Sequence, residues 1–421
     1  MKNKTSTKEF KLSNNERLLY ESPSIFKPIK FPNFYPNGFK IYTFNAGFKK
    51  KLNDLLIIIF DSPANTASVF SKTSTPSAPI IWNKKNNKNK IKILVVNSGN
   101  ANAHTGKKGL KIIDSYVNYL LRVYKCKKNQ VLVCSTGVIG ELFNPKLIIN
   151  KIKKIQNKKN TSILDAAKTI ITTDTYPKIS IQNQTFDKQN VKIYGIAKGS
   201  GMIHPNMGTM LAYIFIEAAL PFNIIKKIIN HNLDDTFNSI TVDSDTSTSD
   251  TLSIFSLNMY KINYKTKKNF EKLNSSIKSI MKDLSMQIIK DGEGLSKLLN
   301  IEVVKAKSKR QAKKIGLSVA NSPLVKTAIF GEDANWGRII MAVGKSNEKV
   351  IQDKIKISFG PHLLCRNGSI NTRLNQSLLK KYMKKNIIKI KINLGIGNFS
   401  HNVYGNDLSY KYININGDYR S

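Results

Sequence analysis

Apolar positions along the chain come in two rhythms. Short continuous runs, Leu55 to Phe60, Ile91 to Val96 and Val131 to Cys134, read as buried strands. Between them, Tyr116 to Tyr124 and Pro145 to Ile155 carry apolar residues at helical spacing. The alternation continues downstream, with a strand from Met210 to Ile216 and then a helix on which Ile224, Ile225, Ile228 and Ile229 share a face. A longer helix follows, with Leu273, Ile277, Ile280, Met281, Leu284 and Ile288 on one side. Near the end, Ile388, Ile390, Ile392 and Leu394 alternate with Lys389, Lys391 and Asn393, the period-two pattern of a half-buried strand. The class predicted is α/β. Residues 1–35 differ: they are polar, contain Pro23, Pro28 and Pro32, and have no sustained period, so they read as an irregular extension with the fold starting near Gly38. No fixed-period repeat and no clean linker divides the rest.

Composition narrows the function classes. With 421 residues and 41% hydrophobic content the chain can bury a large core. Its apolar runs fall far short of the roughly 20 residues that span a bilayer. Polar and acidic residues (Glu9, Asn14, Glu16) stand where a signal peptide needs an apolar stretch, so a cytoplasmic protein without a membrane partner is expected. Cys126, Cys134 and Cys365 are too few and too far apart for a disulfide framework or a zinc site. The 68 Lys and Arg against 27 Asp and Glu give a net charge of +41, which by itself points to nucleic acid. The lysines, however, are scattered as short pairs among Asn and Ile throughout the chain. Compositional drift explains that better than a binding face, which concentrates Arg and aromatics on one element. No specific nucleic-acid partner is expected.

Five Gly/Ser/Thr/Asn-rich stretches punctuate the strands: Asn97 to Gly106, Ser135 to Glu141, Thr172 to Lys178, Ala197 to Met210 and Thr241 to Thr251. Small residues there let a backbone approach a ligand and offer it N–H donors, although each stretch alone reads equally as a turn. A phosphate loop fails, because Ala101 stands where Gly is needed and Lys108 where Ser or Thr is needed. In Thr241 to Thr251, three aspartates (Asp243, Asp245, Asp250) lack the Gly and Glu of a calcium loop, which leaves a structural or site-lining turn. The five histidines make no metal-type pair, and no metal is expected.

Taken in order, these stretches resemble the glutamate N-acetyltransferase (ornithine acetyltransferase) family, as do Asp291 to Gly294, Gly331 to Arg338 and the terminal Asn416 to Ser421. The block AKGSGMIHPNMGTM, Ala197 to Met210, is the most specific. The resemblance implies a layered α/β sandwich of α/β/β/α type. It also implies self-cleavage between Gly208 and Thr209, so that residues 36–208 and 209–421 become two chains that fold together as an (αβ)2 heterotetramer. Thr209 would then act as an N-terminal nucleophile, its own α-amine, of ordinary pKa near 8, serving as base for its hydroxyl. By the same resemblance Thr136 and Gly137 form an oxyanion hole. Thr172, Thr173, Lys198, Thr209, Glu293, Asn416 and Ser421 bind substrate, Lys198 suiting a carboxylate and Glu293 an ammonium. The implied reaction moves an acetyl group from N2-acetylornithine to glutamate without a cofactor, and use of acetyl-CoA as a second donor stays open. Gly208 and Ser421 depart from the family's more usual Ala and Thr, and His104 from a position often held by Cys; none removes a catalytic group. The rival readings are a hydrolase with an N-terminal nucleophile, in which water takes the acyl group, and a basic nucleic-acid-binding protein.

Overall fold

In the computed structural model, residues 23–204 and 210–418 are described. The apolar run beginning at Leu55 proves to be the first half of a 16-residue strand, β2 (Leu55–Phe70), preceded by β1 (Phe39–Phe44). Pro63 cannot donate to a ladder, and pairing with the next strand is irregular between Ile59 and Ala64. On one edge β1 pairs with residues 55–60 of β2, and β8 (Thr251–Tyr260) takes over at residues 65–70. The strand therefore passes from one group of neighbours to another.

The remaining elements of this unit are α1 (Ala78–Asn86), β3 (Lys90–Asn100), α2 (Gly106–Tyr124), β4 (Val131–Val138), α3 (Lys146–Lys153), α4 (Ile163–Ile170), β5 (Lys178–Phe186), β6 (Gln189–Lys198), β7 (Leu211–Ala218), α5 (Phe222–Asn232) and α6 (Lys267–Lys290). The strand order is β4-β3-β2-β8-β7-β6-β5, with β1 beside β2. Strand periodicity then sorts the side chains into three layers of apolar packing. Ile57, Val95 and Val133 face α1, α2 and α3. Ile193, Ile214 and Ile254 face α5 and α6. Between them Leu56, Ile58, Leu94, Tyr194, Phe215 and Phe255 meet in a shared interior with α4. There Phe39 of β1 lies over Phe215 of β7 at 4.7 Å, and Phe215 stacks on Phe255 at 5.3 Å. Two strand layers facing each other with helices outside are the expected α/β/β/α sandwich.

A second unit was not foreseen as separate. It comprises β9 (Leu298–Ala306), α7 (Lys309–Ala320), α8 (Pro323–Phe330), α9 (Trp336–Gly344), β10 (Lys356–Phe359), β11 (His362–Arg366), β12 (Ser369–Ile370), α10 (Gln376–Met383), β13 (Ile387–Asn393) and β14 (Phe399–Asn406), and α11 (Tyr410–Gly417) follows it. Its sheet runs β12-β11-β10-β13-β9-β14 over its own core. In β13, Ile388, Ile390 and Ile392 are buried, as their alternation predicts. The 208/209 boundary drawn from the sequence marks chain segments, not these units, because β6 and β7 on either side of it are paired in one sheet. Residues 23–35 form no helix or strand, yet they are anchored: Ile163 N–H donates to Phe34 O at 3.0 Å, and the Phe34 ring meets Tyr194 edge-on. The three cysteines are free. No helix among the described residues is long and apolar enough to cross a membrane.

The two units meet where Ile240 bridges Tyr404 and where Ser239 Oγ lies 2.7 Å from Nε2 of buried His401. Burial depresses the His401 pKa from 6.5 to about 4, against the opposing pull of Asp235. Between those values the unfolded chain binds the proton that the folded chain refuses, so stability is full above about 6.5 and falls as pH drops toward 4. The urea midpoint should decline over that window, and His401→Gln should lessen the decline.

Candidate active site

Four of the five Gly/Ser/Thr-rich stretches reach one cavity of about 230 Å³ through Thr136–Ile139, Thr172–Thr173, Lys198 with Gly201–Met202, and Ser247–Ser249. Ala101 of the fifth completes that wall, and Glu293 and Asn416 enter from beyond α6 and from α11. Thr136, Gly137, Thr172, Thr173, Lys198, Glu293 and Asn416, far apart in sequence, are thus brought together. The volume is below the ~300–1,000 Å³ of drug-sized ligand sites and suits a single amino acid. Gly208, Thr209 and Ser421 lie outside the described residues.

β4 delivers Thr136 and Gly137 at its C-terminal end, parallel to β3 with Gly99 opposite Gly137. Gly137 has φ +126°, and a Cβ there would stand 2.6 Å from Gly99 O and Asn100 N. Both conditions require glycine. Across the cavity, β6 ends at Lys198, whose ammonium is buried and donates to Thr136 Oγ1 at 3.1 Å. An ammonium only donates, so Thr136 accepts here and keeps its own hydroxyl hydrogen for a third partner. Burial pulls the Lys198 pKa below its ordinary value, opposed by Asp174, Asp250 and Glu293. Lys198 is register partner to Leu211 at the start of β7, and buried Met210 accepts from Thr251 N–H at 3.0 Å. The chain following position 209 therefore re-enters the sheet beside the ammonium-bearing end of β6.

The opposite charge comes from Glu293, two residues beyond Asp291, which caps α6. Its backbone N–H donates to Ser200 O at 2.9 Å, and its carboxylate accepts from Asn416 Nδ2 at 2.9 Å. Any Cβ on Gly201 would come within 2.5 Å of Glu293 Oε1, so a glycine opposite lets the carboxylate in. Burial raises the Glu293 pKa, partly offset by hydrogen bonds from Thr173 and Asn416. Thr173 Oγ1 also lies 2.6 Å from Ser200 Oγ. The site can thus hold a small zwitterion between a cation and a carboxylate, with a hydroxyl donor beside the cation.

A profile described as the ArgJ family matches residues 40–421. The chain belongs to the ArgJ family. Relatives agree along nearly their whole length. The "Arginine biosynthesis bifunctional protein ArgJ" of Bartonella henselae is 41% identical over 391 residues, covering 91% of this chain and 95% of that one. Its namesake in Brucella suis biovar 1 is 39% identical over 404 residues, covering 93% and 98%. The crystal structure of a Bacillus halodurans ArgJ protein aligns to 50% of this chain and 100% of its own, at 33% identity and a TM-score of 0.47. As a member of the ArgJ family the chain is an acyltransferase of arginine biosynthesis.

Sequence reasoning passed over several groups that shape this ArgJ-family site. Asp243, weighed only as a metal ligand, accepts from Met202 N–H at 2.6 Å and Ile203 N–H at 2.9 Å and so anchors the loop that carries Gly201. The turn reading of 241–251 thus becomes both structural and site-lining. Asp174 and Lys178 lie inside the quoted Thr172 to Lys178 stretch but drew no role; both are buried and hydrogen-bonded to each other at 2.6 Å. His204 stands in the loop, 3.2 Å from Asn321 Nδ2, while Trp336 packs on the second core and Arg338 caps Leu324 O at 2.7 Å. Gly137→Ala should destabilise the protein by ~2–5 kcal/mol, combining a strained φ with a backbone clash. Chemical denaturation checks this, and an unchanged midpoint would contradict the packing described.

Proposed function

We propose that this chain transfers the acetyl group of N2-acetylornithine to glutamate through an acetyl ester on Thr209, after cleaving its own backbone between Gly208 and Thr209. The supporting observation is the convergence on one cavity of Thr136, Gly137, Lys198 and Glu293, with β7 beginning next to Lys198 at Leu211, two residues after position 209.

Cleavage begins when Thr209 Oγ attacks the Gly208 carbonyl and the chain shifts from nitrogen to oxygen. Water then hydrolyses the ester, leaving a carboxylate on Gly208 and a free amine on Thr209. In transfer, that amine takes the hydroxyl proton as Oγ attacks the acetyl carbonyl. The oxyanion is met by the hydroxyl of Thr136, polarised by Lys198, and by the N–H of Gly137. Collapse breaks the amide C–N bond, the proton passes to the leaving nitrogen, and ornithine departs. The α-amine of glutamate then attacks the ester, releasing N-acetylglutamate and restoring the Thr209 hydroxyl. Glu293 suits the ornithine side-chain ammonium, and Lys198 has further N–H groups for the α-carboxylate. Thr172, Thr173, Asn416 and Ser421 complete the proposed binding set.

The relatives are named bifunctional, which favours acetyl-CoA as a second donor to the same ester. Residues 1–208 and 209–421 would stay associated through the β6–β7 ladder, as halves of an (αβ)2 assembly in the cytoplasm.

Mass measurement under denaturing conditions should find two fragments, the second beginning at Thr209, whereas Thr209→Ala should remain one chain. An intact wild-type chain that still transfers acetyl groups would overturn the mechanism. Acetylornithine should be consumed far faster with glutamate than without; equal rates would identify a hydrolase. Thr136→Val should lower kcat by ~10²–10³ with little change in KM, since the lost donor serves the transition state.

A further inference from the structure

Directly behind the substrate cavity, the side chain of Lys178 is completely inaccessible to solvent, as are those of Asp174 and Asp291. Its ammonium lies 2.6 Å from Asp174 Oδ1 and 2.6 Å from Asp291 Oδ2. Such a group is poor evidence of stabilisation, because desolvating the ions costs about what their attraction returns, and apolar replacements often serve as well. What it does provide is fixed geometry, and here the geometry points at the site.

Asp174 accepts from Thr172 N–H at 3.0 Å and from Gly199 N–H at 2.6 Å. One carboxylate therefore sets the turn that carries Thr172 and Thr173 and also the residue after Lys198. Asp291 accepts from Thr175 N–H at 2.9 Å and from the Thr175 hydroxyl, and it stands two residues before Glu293. Ser24 adds a strap: its N–H donates to Thr175 Oγ1 at 3.0 Å and its hydroxyl to Lys290 O at 2.5 Å. Lys178 also donates to Tyr176 O at 3.2 Å. Burial alone would push the Lys178 pKa down, but the two carboxylates hold it above its ordinary value, so the lysine stays charged.

We propose that Lys178, clamped between Asp174 and Asp291, is a positioning residue that sets the spacing between the Thr172–Thr173 turn with Lys198 on one side of the substrate and Glu293 on the other. The proposal rests on the acetyl transfer argued above. Under that reading Asp174 and Lys178 belong to one cleaved chain and Asp291 to the other, so the clamp carries substrate registration across the cut. It touches no reacting atom.

Two variants test it, after the wild type has been shown to move acetyl from N2-acetylornithine to glutamate; failure of that first assay strikes the functional reading, not the clamp. Asp291→Asn keeps the volume and loses one charge. The pair Lys178→Met with Asp291→Asn removes one cation and one anion together, leaving Asp174 with its two backbone donors and Lys198. Both are assayed below their own thermal transitions, with folding followed by circular dichroism. The expected result is self-cleavage as complete as in the wild type, kcat within threefold, and KM for acetylornithine raised several-fold in the single variant and at least tenfold in the double. A wild-type KM in a folded double variant overturns the proposal, as does a loss confined to kcat or to cleavage. If the double variant does not fold, the single variant decides on the same criteria.

Discussion

The hydrogen-bonded pairing of β6 with β7, from Ile193 with Ile216 to Lys198 with Leu211, is the constraint on which the rest of the molecule depends. These strands lie side by side with only residues 199–210 between them, and those residues hold all but the first two positions of the block that most specifically marks the family. Both strands are buried from end to end over the shared stretch. Such a ladder keeps its register whether or not the connecting backbone is whole, because strand pairing and side-chain burial hold it rather than the loop. A chain can therefore be cut beside its own site without the halves moving apart.

Around that fixed ladder three carboxylates and two lysines gather, all buried: Glu293 and Lys198 line the cavity, and Asp174, Asp291 and Lys178 lie behind it. Each would be costly alone in a dry interior. Together they shift one another in opposite directions. Lys178, Lys198 and Gly199 N–H hold the Asp174 pKa below the usual carboxylate range despite burial, whereas burial and nearby Asp174 raise that of Asp291. Lys198 differs, since its ammonium meets the Thr136 hydroxyl and, among the described residues, lies within salt-bridge distance of no carboxylate. Facing a cavity with Glu293 on another wall, it is the group to which the proposed function gives the anionic end of the substrate.

Much of this was legible in the sequence, and the boundary of legibility is physical. Continuous apolar runs marked β2, β3, β4 and β7 because a strand covered on both faces needs apolar residues at every position. Their ends were misjudged where the requirement lapses: beyond Phe60, β2 continues through Asp61, Ser62 and Pro63, which face solvent or a bend. The second unit was hidden because its strands β10, β11 and β12 are two to five residues long, too short for any period to show. Site residues were recognisable through a family pattern, not through periodicity, and seven of them share one cavity. The clamp escaped notice because nothing local separates Lys178 from the other lysines of a chain with 68 Lys and Arg.

That contrast also bears on the charge. The excess of positive residues suggests a polyanion partner only if the cations act as a surface. Lys178, Lys198 and Lys326 are instead buried, each hydrogen-bonded within the fold, and Lys297 is buried beside Glu332. Elsewhere lysine ammonium groups sit over aromatic rings, as Lys282 does over Tyr404 at 3.9 Å and Lys192 over Phe34 at 4.9 Å, so that their charge is partly engaged within the fold. Bulk composition and local chemistry are thus separable here. The second keeps a small set of charges in a fixed arrangement at and behind one cavity.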